Sequence, residues 1–422
     1  MSEGLSRRAL LRRGAVLSGA AVAAGTVVGG CRAEGGEARS SLPSGGALAA
    51  PTGTRLPFHG PHQAGIVTPV PAAGMVAVLD VVAADRGALS TALQGLTTVA
   101  RRLVEGEVDA PLDRLSPPPD NLILGPTPPA DALTITVGLG ASMFDDRYGL
   151  ADRRPARLIE MPAFPHDQLA AERSHGDLVV QICGGTNETC IHALRRLMRA
   201  TRDSMVMRWM VPGFNQPNTL GPGRTSTRNL LGFKDGTANL DPADTALMDD
   251  LVWVPAGGDE PAWAAGGSYH VVRIIRMRVE FWDRTPLRTQ ETIIGRHKDT
   301  GAPLGATAET DVPDFAADPD GVRFRLDGHI RLANPRTPAT AGNRILRRGF
   351  SYSLGFDAAG HFDQGLLFQC FQRDLDAGFV TVQNRLNGEA LEEYVTPVGG
   401  GFFFALPGVR DADDWYGRTL LA

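Results

Sequence analysis

Short apolar runs and amphipathic stretches follow one another in a repeating order. GMVAVLDVVA, Gly74 to Ala83, is an apolar run of strand length. DRGALSTALQGLTTVARRLVEG comes next and sets Leu89, Leu93, Leu96, Val99 and Leu103 at helical spacing. ALTITVGLG and RLIEMPAF read as extended segments, and DLVVQICGG as a further strand. NETCIHALRRLMRATRD predicts a helix with Asn187 as its N-cap, and SMVMRWMVPGF predicts a strand after it. The first half therefore runs strand, helix, strands, helix, strand.

The second half repeats that order. SYHVVRIIRMRVEFWD alternates as a strand should, and TPLRTQETIIGRHK predicts a helix opened by Thr285 as N-cap and Pro286 at its first position. A Gly/Pro/Asp-rich loop from about residue 299 to 328 is long enough to suggest a functional segment. ILRRGFSYSLGF and GLLFQCFQRD read as strands, LDAGFVTVQNRLNG as a helix, and GGGFFFALPG as a last strand. The expected class is α+β: two ferredoxin-like sandwiches of βαββαβ order with antiparallel sheets. The expected divisions are residues 1–52, 53–222 and 223–422, with the inner boundary in PNTLGPGRTSTR.

Composition narrows the function. The chain has 422 residues, 43% of them hydrophobic and 21% charged, values of an ordinary globular protein. A net charge of −5 argues against a general nucleic-acid binder, which usually shows a basic face. The start is an address. SRRALLRR carries the pair Arg7–Arg8, and the weakly apolar GAVLSGAAVAAGTVVGG follows, the pattern of a twin-arginine export signal. Such signals export proteins already folded, often with a cofactor inside. The expected location is extracellular or periplasmic. VVGGC ends at Cys31 and resembles a lipoprotein cleavage box, which would make residues 32–51 a membrane tether; cleavage near Ala47–Ala49 is the alternative. Cys183, Cys190 and Cys370 make an odd set that forms no complete disulfide framework. The spacing of Cys183, Cys190 and His192 matches no common zinc pattern, so buried thiols packed as small hydrophobes are expected.

GFKDGTANL, Gly232 to Leu240, poses the chemical question. Glycines bracket Asp235, so the backbone can bend tightly and approach whatever lies beside it. Alone, Asp-Gly is a common turn. DGHIRLANPR carries His329 and the run Asn334, Pro335, Arg336, and NRILRRGFSYSLG carries Arg347. In this order the three segments resemble the dye-decolorizing (DyP-type) haem peroxidases, in the exported bacterial branch of deferrochelatase/peroxidase proteins. The resemblance spans roughly residues 55–410 and extends to GRHKDTGAPLG and GEALEEYVTPVGGGFFFALPG.

The resemblance implies haem b in the C-terminal sandwich. His329 would be the proximal iron ligand, with Asp235 and Arg347 on the distal face. Gly236, Thr237, Ala238, Asn334, Pro335 and Arg336 would touch the porphyrin, as would Arg347. An axial histidine suits a peroxidase. Its other ring nitrogen needs an acceptor, for which Glu393 is the candidate, with Glu392 beside it. A carboxylate can shuttle the peroxide proton, and a permanent cation can stabilise the departing oxygen; which of Asp235 and Arg347 governs O–O cleavage stays open. His166, His175 and His297 read as structural or solvated. Trp282, Tyr352, Trp415 and Tyr416 read as packing groups, with electron relay to bulky donors as the alternative. The implied activity is reduction of hydrogen peroxide with oxidation of dyes, phenols or similar reductants. The alternative is a deferrochelatase that releases iron from haem with the porphyrin intact, which would call for an iron-uptake permease partner. The resemblance also allows a homodimer.

Overall fold

The computed structural model describes residues 53–109, 113–215 and 227–422. The export signal, Cys31 and most of the expected inner boundary lie outside these residues. Among the described residues eleven strands carry the fold: β1 (Ala73–Val81), β2 (Thr134–Gly140), β3 (Leu178–Gly184), β4 (Met205–Phe214), β5 (Thr227–Arg228), β6 (Lys234–Asp235), β7 (Ser268–Met277), β8 (Leu346–Arg347), β9 (Phe350–Phe356), β10 (Phe362–Gln372) and β11 (Val395–Ala405). The ladders among them are antiparallel. The first half orders its strands β2-β3-β1-β4, and the second orders them β9-β10-β7-β11. Numbered within its own half, each set reads 2-3-1-4, the ferredoxin-like order the repeating pattern predicts. The halves also pair with each other, β2 with β11 through Phe403↔Gly140 and its neighbours, and β4 with β9 through Phe214↔Ser351.

Burial explains why β1, β2 and β3 read as largely apolar runs: both their faces are covered. Helices α1 (Arg86–Glu105) and α2 (Asn187–Thr201) place Leu89, Leu93, Leu96, Ala193 and Leu197 against one face, in the main core. Val76, Val78, Val179 and Trp209 from the other face meet Val272, Ile274, Phe350 and Leu367 of the second half. Asp85 caps α1 by accepting from the Ala88 amide, and Gly106 closes it at φ 65°.

Three local expectations are corrected. RLIEMPAF forms no strand, because its backbone finds no ladder partner; Leu158, Met161 and Phe164 insert into the main core instead. Thr186, not Asn187, caps α2: it is extended, and its hydroxyl accepts from the Thr189 amide. Helix α3 (Leu287–Ile294) has Pro286 at its N-cap, and the Thr285 hydroxyl instead donates to the Phe281 carbonyl and the Tyr394 hydroxyl. The three described cysteines are free and buried, as their spacing suggests.

Candidate functional site

The GFKDGTANL segment begins as a tight turn. The Gly232 amide donates to the Asn229 carbonyl at 2.9 Å, with Gly232 at φ 83°. A Cβ on Gly232 would meet only the flexible end of the Lys298 side chain, at 2.6 Å, so it is the left-handed backbone that calls for glycine here. Leu231 and Phe233 anchor the turn in a core with Trp282, whose indole donates to the Leu231 carbonyl. β6 then delivers Asp235 to a cavity wall. Gly236 follows at φ 109° and Ala238 at φ 58°, a left-handed conformation that costs a residue with a Cβ.

Asn239 ties this bend to the strand that carries the arginine. Its amide nitrogen donates to the Arg347 carbonyl at 2.8 Å, and its oxygen accepts from the Arg347 amide at 2.9 Å. Arg347 then reaches back, donating from Nη2 to the Thr237 carbonyl at 2.8 Å, while Nη1 stands 3.5 Å from the Asp235 carboxylate. The acid and the guanidinium share one wall in a loose pair, so each retains capacity for a ligand.

His329 opens the short helix α4 (His329–Ala333) behind Gly328. Arg331 fixes that helix by donating to the Asp318 and Phe324 carbonyls at 2.8 and 3.0 Å. Nδ1 of His329 lies 2.7 Å from Oε2 of Glu389, whose side chain is 7% exposed. Burial works against a charge on the imidazole, but the Glu389 carboxylate outweighs it and the ring's pKa lies above the ordinary value. With Nδ1 committed to the carboxylate, Nε2 is the nitrogen left for a ligand. Glu389, not Glu393, is therefore the acceptor. Residues 390–393 form a 3₁₀ turn, which faces Glu389 to the histidine and turns Glu393 to solvent; Glu392 accepts from the Gly388 amide.

These pieces border one cavity of ≈ 1830 Å³, counting the part open to solvent. Asp235, Gly236, Thr237, Ala238, His329, Asn334, Arg336, Arg347 and Glu389 all line it, among apolar walls such as Leu231, Phe233, Ile294, Leu366 and Leu386. Pro335 is not among the lining residues; it lies in a turn in which Asn334 accepts from the Arg336 amide and leaves Arg336 at φ 58°. Arg296, Arg336 and Arg344 bring further cations to the same wall and to its mouth. Burial lowers the pKa of Arg296, and the neighbouring Arg336 and Arg347 push the same way. Nε of Arg336 is buried with no partner. The arrangement suits a large, flat, mostly apolar ligand with an anionic edge and a centre that accepts one imidazole. Among the described residues no group of three or more His, Cys, Asp or Glu side chains could hold a bare metal ion.

The sequence singles out Asp235, His329 and Arg347 but not Asn239, Glu389, Arg296 and Arg344. Arg296 lies within GRHKDTGAPLG, and Glu389 within GEALEEYVTPV, so the segments stand out although the residues do not. Trp282, Tyr352 and Tyr416 are buried in packed cores. His166 lies 3.1 Å from the Val395 carbonyl, and His175 and His297 stand near Glu160 and Glu291.

Comparison with known proteins follows the same outline. Residues 63–215 match the family model for the N-terminal part of Dyp-type peroxidases, and residues 226–410 match that for the C-terminal part. The deferrochelatase of Escherichia coli is 53% identical over 370 residues, 87% of this chain and 87% of that protein. Among solved structures, a DyP-type peroxidase from Cellulomonas bogoriensis is 37% identical, covers 88% of this chain and 99% of its own, and superposes with a TM-score of 0.79. Ferric DtpA from Streptomyces lividans is 36% identical over 87% of this chain and 97% of its own, with a TM-score of 0.78.

Proposed function

The chain belongs to the Dyp-type peroxidase family, and on that premise we propose that it is a haem b peroxidase that reduces hydrogen peroxide with electrons taken singly from phenols, dyes or similar donors. A haem brings two apolar faces, two carboxylates at one edge, and an iron that needs an axial ligand. The cavity answers each: aliphatic and aromatic walls, the unpartnered Arg336 Nε among Arg296 and Arg344, and the His329 imidazole. His329 would hold the iron through Nε2. Gly236, Thr237, Ala238 and Asn334 would border the macrocycle, and Arg336 would meet its carboxylates. The bound haem supplies the redox centre at which peroxide is reduced and the donor oxidised.

The protein's own groups do the rest. Glu389 accepts the Nδ1 proton of His329, fixing the tautomer and raising the ring's basicity. Asp235 would take the proton from one peroxide oxygen and return it to the leaving one. Arg347, held by Asn239 and by the Thr237 carbonyl, presents fixed positive charge to the oxygen on which negative charge develops.

The observation that carries this reading is that a carboxylate-backed imidazole and an acid–guanidinium pair line one cavity. Its test is an absorption spectrum of the purified protein, before and after haem, then with one equivalent of peroxide. A Soret band that changes on peroxide addition is expected; a protein that stays colourless after haem addition refutes the reading.

A second reading rests on the 53% identity to a relative named deferrochelatase. Haem would then be substrate, and iron would leave with the porphyrin intact, for an iron-uptake permease. Anaerobic incubation with haem and no peroxide should release fluorescent protoporphyrin if this holds; none released excludes it. Arg7, Arg8 and the apolar run after them support export by the twin-arginine route, and VVGGC ending at Cys31 supports a lipid anchor at that cysteine. The mass of the mature N-terminus tests both.

A further inference from the structure

The bend that carries Asp235 contains a residue with a Cβ in the left-handed region, Ala238 at φ 58°. Such a conformation persists only where its surroundings over-determine it. Two ties come from Arg347 and Asn239, described above. The remaining one reaches the bend from the long segment between α3 and α4. Lys234 and Thr237 stand on either side of Asp235–Gly236, and both converge on one carboxylate. Lys234 Nζ meets Oε2 of Glu309 at 2.5 Å, and the Thr237 hydroxyl donates to Oε1 at 2.8 Å. Lys234 and Glu309 are each 11% exposed, so this ion pair is largely withdrawn from water. The Glu309 backbone is itself fixed, because its carbonyl accepts from Arg296 at 3.0 Å and the same guanidinium nitrogen donates to the Gly301 carbonyl at 2.6 Å. Gly301 sits at φ 78°, where a Cβ would come 2.7 Å from Lys234 Cδ, so the segment is shaped to let the lysine through.

We propose that Glu309 is a positioning residue for peroxide reduction: it fixes the Asp235 bend through Thr237 and neutralises Lys234. Two physical effects meet in one side chain. The Thr237 bond fixes a residue whose carbonyl orients Arg347, so the carboxylate acts on the acid and the guanidinium together. The Lys234 pair removes a competing cation. Without Glu309 a largely buried ammonium would be left uncompensated one residue from Asp235, and that carboxylate is the anion nearest in sequence. Asp235 would then be drawn between Lys234 and Arg347, and a displacement of the acid of even a fraction of an ångström misaligns it with peroxide. The long segment, on this view, is a structural arm of the site.

The proposal rests on the haem-peroxidase reading, and its test separates the two. The variants are E309A, which removes both bonds; E309Q, which keeps an acceptor for Thr237 but loses the charge; and the double variant K234M/E309A, which removes the stranded ammonium as well. Each is loaded with haem and measured for haem content, for cyanide affinity by optical titration, and for kcat and KM with peroxide. The expected result for E309A is unchanged haem content, with cyanide affinity and kcat/KM for peroxide each down by about tenfold or more. E309Q should lie between E309A and wild type, and K234M/E309A should recover part of the E309A loss, a coupling that a merely structural role would not give. E309A within twofold of wild type on both cyanide and peroxide overturns the proposal, as does a double variant no better than E309A. Should E309A fail to fold, E309Q and K234M/E309Q carry the same comparison: the single variant should lose affinity and rate, and the double should recover part of both. An E309Q within twofold of wild type, or a double variant no better than it, then overturns the proposal. Wild-type protein that takes up no haem would instead overturn the reading of the cavity, and this proposal with it.

Discussion

Replacing Glu389 by glutamine changes one atom and asks how strongly the carboxylate acts through His329. The Glu389 side chain is buried and its Oε2 lies 2.7 Å from Nδ1, so the contact is a charge-assisted hydrogen bond with little water to weaken it. Glutamine can still accept from Nδ1–H, so the bond survives and the charge does not. Bonds to charged groups contribute about 1.5–3 kcal/mol and neutral ones about 0.5–1.5, so the variant loses roughly 1–1.5 kcal/mol. That is about tenfold in iron affinity, the lower end of the 10–100-fold range for such partners. The carboxylate favours the more positive ferric iron over the ferrous one. If the whole difference falls on the ferric state, the one-electron potential rises by about 60 mV, since tenfold is about 59 mV. A spectroelectrochemical titration of the haem-loaded protein measures it, with E393Q as control because Glu393 is turned to solvent. A shift below about 10 mV in E389Q, or an equal shift in E393Q, would refute the assignment of Glu389.

The other tests are simpler. H329A should lose most haem, read as a fall in the Soret-to-280 nm ratio; an unchanged ratio removes His329 from the iron. R347L should keep haem but slow the first spectral change after peroxide in stopped flow by about 10²–10³, the loss typical for one preorganised donor to a developing anion. Away from the site, Asp177 accepts from the Val81 amide, the Ser142 hydroxyl and both terminal nitrogens of Arg147; burial raises its pKa but these bonds outweigh that and leave it below the ordinary carboxylate value. A depressed carboxylate stabilises the fold above its unfolded pKa of about 3.9 and loses that contribution as pH falls through the folded value. D177N should therefore cost about 2–4 kcal/mol at pH 7 in urea unfolding and progressively less below about pH 4; an equal cost at pH 7 and pH 3 contradicts the ionised pairing.

The parts of this fold that periodicity could reveal are those decided by burial on one or two faces. Leu89, Leu93 and Leu96 bury one stripe of α1, and their spacing predicts it directly. RLIEMPAF misleads because an apolar extended segment and a strand look alike in sequence. What separates them is a free ladder edge beside it, and none faces it. The site divides along a similar line. Asp235, His329 and Arg347 stand in three short segments that together resemble a known family, and that resemblance, not composition or spacing, points to them. Asn239 acts on a strand 108 residues away, and no local pattern announces a side chain that grips a distant backbone. Glu389 competes with Glu392 and Glu393 in one acidic stretch, and only the 3₁₀ turn decides which of them meets the imidazole.

The same distinction explains what the cavity asks of its surroundings. Arg296, Arg336, Arg344 and Arg347 converge on one region, and for Arg296 burial and the nearby arginines both disfavour its charge. A fold gains nothing by gathering cations in this way, and the buried Arg336 Nε adds an unmet donor. Protein carboxylates offset part of this: Glu309 faces Lys234, and Asp235 stands loosely beside Arg347. What they leave is a deficit of negative charge at one edge of an otherwise apolar slot. A ligand bearing two carboxylates on a flat apolar ring would remove that deficit and fill the slot together. Binding would then stabilise the folded state in proportion to ligand excess. The left-handed Ala238 and Arg336 belong to the same region, since both line this cavity. Several local rules of stability are thus broken together around this cavity, as a functional site is expected to break them.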